Sequence, residues 1–291
     1  MTKDMRIRTA RRAGAALFSI AAVAALASCG TPGPKKTDMS NTTVVTVSQE
    51  ERIRKRIIQR ILELDDSKDT EALKQFASGP ELTVRTSQLA VAKATDSIDQ
   101  TADIPDGVQQ IMIPTEANWP RSIFSITTTT ENQQSGRLLV FSQDSARQNY
   151  KLWGLFRLFS GVQLPTFRQQ TPATKSSAEI NDPNHTGMAD QGGLVMTPAD
   201  AVRQYADILQ NGSSSKYAKS FENDSLRTEL AKLTATIDDG VKRNGGTQQQ
   251  TFTYKDGAIR VLMTAQASRL KGAKLGALVI AQIDSSDKDS R

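Results

Sequence analysis

Cysteine and histidine are almost absent, with one of each in 291 residues. A single thiol excludes an internal disulfide, and a single histidine beside it leaves too few soft ligands for a structural zinc site, so neither metal nor cofactor is expected. Aromatic residues make up only 5% of the chain. HExxH, GxSxG, P-loop and GxGxxG motifs do not occur, which removes the common signatures of metalloprotease, α/β-hydrolase, nucleotide and dinucleotide chemistry. No apolar run reaches the roughly 20 residues needed to span a bilayer. A mean hydropathy of −0.43 and 23% charged residues read as a soluble globular protein with room for about two domains of roughly 150 residues.

The net charge of +6 would suggest a nucleic-acid partner if it were spread over the fold. It is concentrated at the start. Residues 1–12 carry Lys3, Arg6, Arg8, Arg11 and Arg12 against Asp4 alone, and an apolar run from Ala13 to Ala27 follows. A basic segment ahead of a short apolar one is the pattern of a secretory signal, here spanning 1–28. Removing it leaves 32 Lys and Arg against 30 Asp and Glu, a side-chain charge of +2, so nucleic acid is not an expected partner. The run ends in Leu26-Ala27-Ser28-Cys29, which resembles the lipobox of bacterial lipoproteins. The resemblance implies export by the general secretory route and a diacylglyceryl thioether on Cys29, placing the mature chain on the extracytoplasmic face of a membrane. The alternative is an ordinary cleaved signal with a free thiol.

Residues 29–47 are rich in Thr, Pro, Gly, Lys and Asn and read as a flexible tether, about 20 to 25 Å long as a coil and about 60 Å if extended. Ser48 and Glu51 have capping-box spacing, and Ile53, Ile57, Ile58, Ile61 and Leu62 recur at helical intervals, predicting a helix from about Gln49 to Leu64. Its other face carries Arg52, Arg54, Lys55, Arg56 and Arg60. Such a face is either solvated or docks on anionic lipid at about 1 kcal/mol per basic residue. A short helical piece through Leu73 and a segment over Leu82–Ala94, read as helix, come next. Val108–Ile113, Ser122–Thr130, Arg137–Ser142 and Lys151–Phe159 are strand-like. Helices followed by closely connected strands imply an α+β unit with an antiparallel sheet over 48–166.

Residues 167–196 are poor in apolar side chains and read as a linker. The unit 197–291 then repeats the plan. Thr197-Pro198-Ala199-Asp200 opens a helix that Asn211-Gly212 ends, and three strand candidates follow: Gln248–Tyr254, Ile259–Ala267 and Ala277–Ile283. The polar tail SSDKDSR closes the chain. With three candidates against four, the second unit is expected to be smaller or truncated. Helices packed on curved antiparallel sheets resemble the cone-shaped nuclear-transport-factor-2-like and cystatin-like folds, an analogy that carries no function.

Candidate chemistry is sparse. His185 lies in a loop without a nearby nucleophile, and Ser213-Ser214-Ser215-Lys216 matches S-x-x-K without its partner motifs. Asp65-Asp66 and Asp238-Asp239 fall at expected helix ends or turns, where adjacent aspartates are solvated. As an acid/base pair such carboxylates would support the alternative function, a cell-wall glycan hydrolase or transferase. The strongest bias is aromatic, with eight of 15 rings between 119 and 167. Strict alternation along β-like 151–159 puts Leu152, Phe156 and Leu158 on one face and Lys151, Trp153, Leu155, Arg157 and Phe159 on the other. Trp119, Arg121, Tyr150, Trp153 and Arg157 are therefore candidate ligand-binding residues for an envelope saccharide or peptide, against a reading as core or interface.

Asn118-Trp119-Pro120-Arg121, Tyr150-Lys151-Leu152-Trp153-Gly154 with Arg157-Leu158-Phe159, and Thr197-Pro198-Ala199-Asp200 through Tyr205-Ala206-Asp207 to Asn211-Gly212 resemble segments of an actinobacterial lipoprotein family of unknown function. The likeness covers most of 48–283. It implies a surface lipoprotein with a further strand region after the second unit, and brings no catalytic residues. The expectation is a membrane-anchored, non-enzymatic binding or assembly module whose partner is an envelope protein or glycan.

Overall fold

Described residues of the computed structural model are 43–98, 101–114, 119–128, 136–159, 170–171, 194, 196–263 and 276–290. The signal segment, Cys29, His185 and most of the tether and linker lie outside them. Ser40–Arg291 forms one compact unit.

Helix α1 (Val47–Ser67) starts earlier than its periodicity suggests, because Thr46 and not Ser48 is the cap. The Gln49 amide donates to Thr46 Oγ1 at 3.2 Å, and the Thr46 amide donates to Gln49 Oε1 at 2.8 Å. Both hydroxyls have the right spacing. The earlier one is selected because Val44 and Val45 pack on the core and the Val44 amide bonds Pro114 O at 3.1 Å, fixing the incoming chain. Helices α2 (Thr70–Leu73) and α3 (Gly79–Thr95) follow.

Strands β1 (Val108–Pro114), β2 (Arg121–Thr127), β3 (Arg137–Gln143) and β4 (Lys151–Arg157) form an antiparallel meander, with β5 (Gln170–Thr171) parallel to β1 at one edge. Segment 76–78 covers the other edge, through the Leu152 amide on Phe76 O at 2.8 Å and the Ser78 amide on Leu152 O at 2.9 Å. Ile113, Ile123, Leu139, Phe141 and Leu152 face α1 to α3. Met112, Phe124, Ile126, Leu138 and Val140 face the opposite way, so both faces are buried and the strands read as continuous apolar runs.

The second half contains α4 (Pro198–Asn211), two 3-10 turns, α5 (Ser225–Arg243), and a hairpin of β6 (Thr247–Met263) with β7 (Ala277–Ser290). Thr197 caps α4 as its spacing predicts, accepting from the Asp200 amide at 3.1 Å. The three strand candidates become two long strands, since 248–254 and 259–263 are one strand interrupted by a register shift. Most of the polar tail is β7 paired with 247–252. Leu262, Leu278 and Ile280 pack on the inner sheet, whereas Ile259, Val261, Val279 and Ala281 pack with Val202 of α4 and Leu194. The layers therefore run helices, sheet, hairpin, helices. The architecture is α+β with two sheets, and the two halves meet through a shared core.

Strict alternation fails in β4. Leu152 pairs with Phe141 and Gly154 with Val140, leaving Trp153 as the extra residue of a bulge. Beyond it Leu155 packs on the helix-side core and Phe156 and Leu158 on the hairpin side, so Phe156 and Leu158 separate from Leu152. Gly154 makes room, since a Cβ there would stand 2.3 Å from the Phe156 ring. Gly79, at φ +53°, likewise admits Trp153, whose Nε1 would lie 2.4 Å from a Cβ.

Arg260 of β6 joins the halves. Its guanidinium lies 4.6 Å from the Trp153 ring centroid and donates to Ser142 Oγ from Nη2 at 3.1 Å. Both Arg260 and Trp153 are buried. A double-mutant cycle of Trp153→Leu and Arg260→Leu in urea unfolding should show coupling of about 1 to 2 kcal/mol, the size of a desolvated cation–π contact. Additive effects would mean that the stack contributes nothing.

Candidate functional site

The structure does not gather the five aromatic and cationic candidates into one site. Arg121 lies over Trp119, 4.2 Å from its centroid, at the start of β2. Tyr150 is buried in the helix-side core, and Trp153 is buried between sheet and hairpin. Arg157 is exposed at the far end of β4, opposite Arg137. Burial and the nearby Arg157 charge push the Arg137 guanidinium below its ordinary pKa. These rings and cations serve four separate environments, and Trp153 takes its cation from the second half of the chain.

Paired carboxylates do occur, in the wrong place for substrate. Asp65 is buried rather than solvated, because Arg85 of α3 grips it from Nε at 2.9 Å and Nη2 at 2.6 Å. Arg85 also donates to Glu81 Oε1 at 3.2 Å and to Ala102 O at 3.0 Å. One guanidinium faces two carboxylates, and burial pushes the Glu81 pKa up further than Arg85 can lower it. Asp65, Glu81 and Arg85 are each at most 4% exposed, so this triad holds α3 on α1 and offers no cleft to a substrate.

A second buried pair corrects the reading of the basic helix face. Arg54 points inward, donating to Glu50 Oε1 at 2.9 Å and to Asp106 O, and Ser125 Oγ of β2 donates to the same Glu50 oxygen at 3.0 Å. A 3.6-residue period places Arg54 one step from Ile57 and Ile58 on the inner face, and only a buried carboxylate makes that position tolerable. Arg52, Lys55, Arg56 and Arg60 remain exposed. Lys55 pairs with Glu51 at 2.8 Å and Arg60 with Glu63 at 2.6 Å.

The concave surface lies in the second half. A cavity of about 1010 Å³ opens between the end of α4, the 3-10 turns, α5 and β6, and an adjoining one of about 550 Å³ reaches β7. Leu209, Phe221, Leu230 and Phe252 line both, and no carboxylate lines either. Sequence reasoning missed α5, although Leu226, Leu230, Leu233, Ile237 and Val241 recur at helical spacing. None of its residues is buried, and Leu233 is 54% exposed.

A small polar cluster pins the start of α5 to α4. Asp224 caps the helix by accepting from the Arg227 amide at 2.9 Å, and Tyr205 Oη donates to Asp224 Oδ2 at 3.0 Å. Burial and then the Asp224 charge push the Tyr205 phenol well above its usual pKa. Burial acts to raise Asp224, but hydrogen bonds from Arg227 and Tyr205 outweigh it and hold the carboxyl below its ordinary value. Ser213 and Lys216 of the S-x-x-K match lie on exposed turns, and the Lys216 ammonium sits 4.9 Å from the Tyr217 ring centroid. Among the described residues no cluster of three His, Cys, Asp or Glu could hold a metal ion, and no helix is long and apolar enough to cross a membrane.

No protein-family model, curated protein or solved structure matches the chain.

The Glu81 shift has a measurable sign. An acid whose pKa is higher folded than unfolded holds its proton more tightly in the folded state. Its stabilising contribution is present below the ordinary glutamate value of 4.5 and lost as pH rises through the folded value. The melting temperature of Glu81→Gln minus that of the parent should therefore rise between about pH 4 and about pH 8. A difference that stays flat or falls would contradict the assignment.

Proposed function

We propose that the chain is an extracytoplasmic lipoprotein, held to a membrane through diacylglyceryl-Cys29, that works as a non-enzymatic binding module. This keeps it with the actinobacterial lipoproteins it resembles. The observation that carries the binding reading is the α4–α5–β6 cavity, which is open, lined by apolar and polar side chains together, and by no carboxylate. The glycan hydrolase alternative needs two carboxylates converging in a cleft. Asp65 and Glu81, which converge on Arg85, are sealed in the core. Each half is read as a helix-backed curved sheet of the nuclear-transport-factor-2-like or cystatin-like kind, with the second open at its mouth.

The anchor, rather than helix α1, holds the protein at the membrane in this reading. Two acyl chains suffice for stable attachment. Of the exposed basic side chains on α1, Lys55 and Arg60 are paired to carboxylates on the same helix. Arg52 and Arg56 add at most about 2 kcal/mol towards an anionic surface.

Two measurements test the reading. Cells fed labelled palmitate should incorporate it into the parent chain, while Cys29→Ala should carry no label and leave the membrane fraction. A Cys29→Ala chain that stays membrane-bound would contradict the anchor. Native mass spectrometry of the chain extracted from membranes should show a bound non-protein or peptide mass that Ala231→Trp, which puts a ring into the cavity, displaces. A chain without bound mass under every mild extraction would contradict the binding role.

A further inference from the structure

We propose that the cavity between α4, α5 and the hairpin holds a lipid acyl chain. The inference rests on the binding-module reading and names the chemistry of its ligand.

Helix α5 shows that this space needs an occupant. An amphipathic helix in a protein is stabilised mainly by burying its apolar stripe. In the first half α3 does so, with Leu89 and Ala92 fully buried. In the second half α5 has a comparable length and stripe, yet none of its residues is fully buried: Leu226, Leu230, Ile237 and Val241 are half-buried and Leu233 is exposed. Leu226 and Leu230 face the two adjoining cavities, whose far wall includes Phe252 and, in the smaller one, Val279 and Ile283. Leaving both walls wet is costly, and an apolar filler removes water from both at once.

Hydrogen bonding decides which filler. Gln210, Gln250, Thr228, Thr234 and Arg227 along the walls are already committed to protein partners. Gln210 donates to Gln250 O and accepts from the Phe252 amide, both at 2.9 Å, and so covers the outer edge of β6. Thr234 donates to Gln250 Oε1 at 3.0 Å, Thr228 to Asp224 O at 3.0 Å, and Arg227 is held by Asp224 at 2.7 Å. A peptide entering this space brings an amide and a carbonyl per residue, and would find their partners taken. A methylene chain brings neither. Volumes of about 1010 and 550 Å³ lie in or near the roughly 300–1,000 Å³ range of small-molecule sites. The open rim, where Ser213 and Asn223 are exposed, leaves the polar head of the lipid in water.

Palmitate titrated into the full chain, followed by displacement of a fluorescent fatty acid, tests the proposal. Saturable one-to-one binding is expected, weakened about tenfold or more by Leu230→Arg and by Ala231→Trp, since a charge or a ring in an apolar pocket costs at least that. Trp119→Ala, at the start of β2 and not among the residues lining either cavity, should bind as the parent does. If Leu230→Arg unfolds, Ala231→Trp on exposed Ala231 carries the test. Palmitate binding that neither variant changes, or no saturable binding, overturns the proposal. An extended apolar peptide that binds, is displaced by Ala231→Trp and ignores palmitate overturns the acyl choice while leaving the binding module standing. Failure of both probes, together with no bound mass on the extracted chain, removes both.

Discussion

The inner sheet cannot face water on either side. Ile123, Leu139 and Phe141 point to one layer and Phe124, Leu138 and Val140 to the other, all of them buried. A two-sided apolar sheet must be covered twice, and this one obtains its first cover from α1 to α3 and its second from the β6–β7 hairpin. That requirement makes the two halves of the chain one unit. It also explains why the charges in the core come as closed sets: Arg85 with Asp65 and Glu81, Arg54 with Glu50 and Ser125, and Arg260 with Ser142 and Trp153. Arg85 lies where two helices meet, Arg54 where a helix meets the sheet, and Arg260 where the hairpin meets it. A lone charge there would be prohibitive, so pairing fixes which surfaces meet.

Local signals exposed much of this fold. The isoleucine stripe of α1, the Thr197-Pro198 start of α4 and the four runs that became β1 to β4 are all written in short-range periodicity and capping chemistry. What periodicity cannot carry is partnership across the fold. Arg54 reads as one of a row of surface cations until Glu50, Ser125 and the Asp106 carbonyl are seen around it. Asp65 looks like a solvated helix-end residue, and its partner Arg85 is 20 residues away on another helix. The bulge at Trp153 inserts one residue into a period of two and reverses the faces beyond it, which no counting along β4 alone reveals. Helix α5 escaped notice for a different reason. Its leucines are diluted by threonine, aspartate and glycine, and it buries too little to be demanded by the core.

Little of the candidate site was legible in the sequence. The cation–aromatic pairing along β4 pointed to a ligand surface, whereas its rings pack inward and its cations disperse. The concavity arises instead where the second half departs from the first. Four antiparallel strands and a packed α3 fill one half; a single hairpin and a loosely held α5 leave the other open. Tyr205 and Asp224 tie down the first turn of α5 and Thr234 bonds Gln250 of β6, while the apolar stripe of the helix faces a cavity.

This contrast between a filled and an open half is the central claim, and amide hydrogen exchange on the full chain tests it most directly. Amides of β2, β3 and the 259–263 and 277–281 part of the hairpin should share the slowest exchange, as members of one cooperative unit. Amides of α5 beyond its first turn should exchange orders of magnitude faster, by local opening. Protection of α5 equal to that of α1, or a hairpin that opens independently of the inner sheet, would contradict the account.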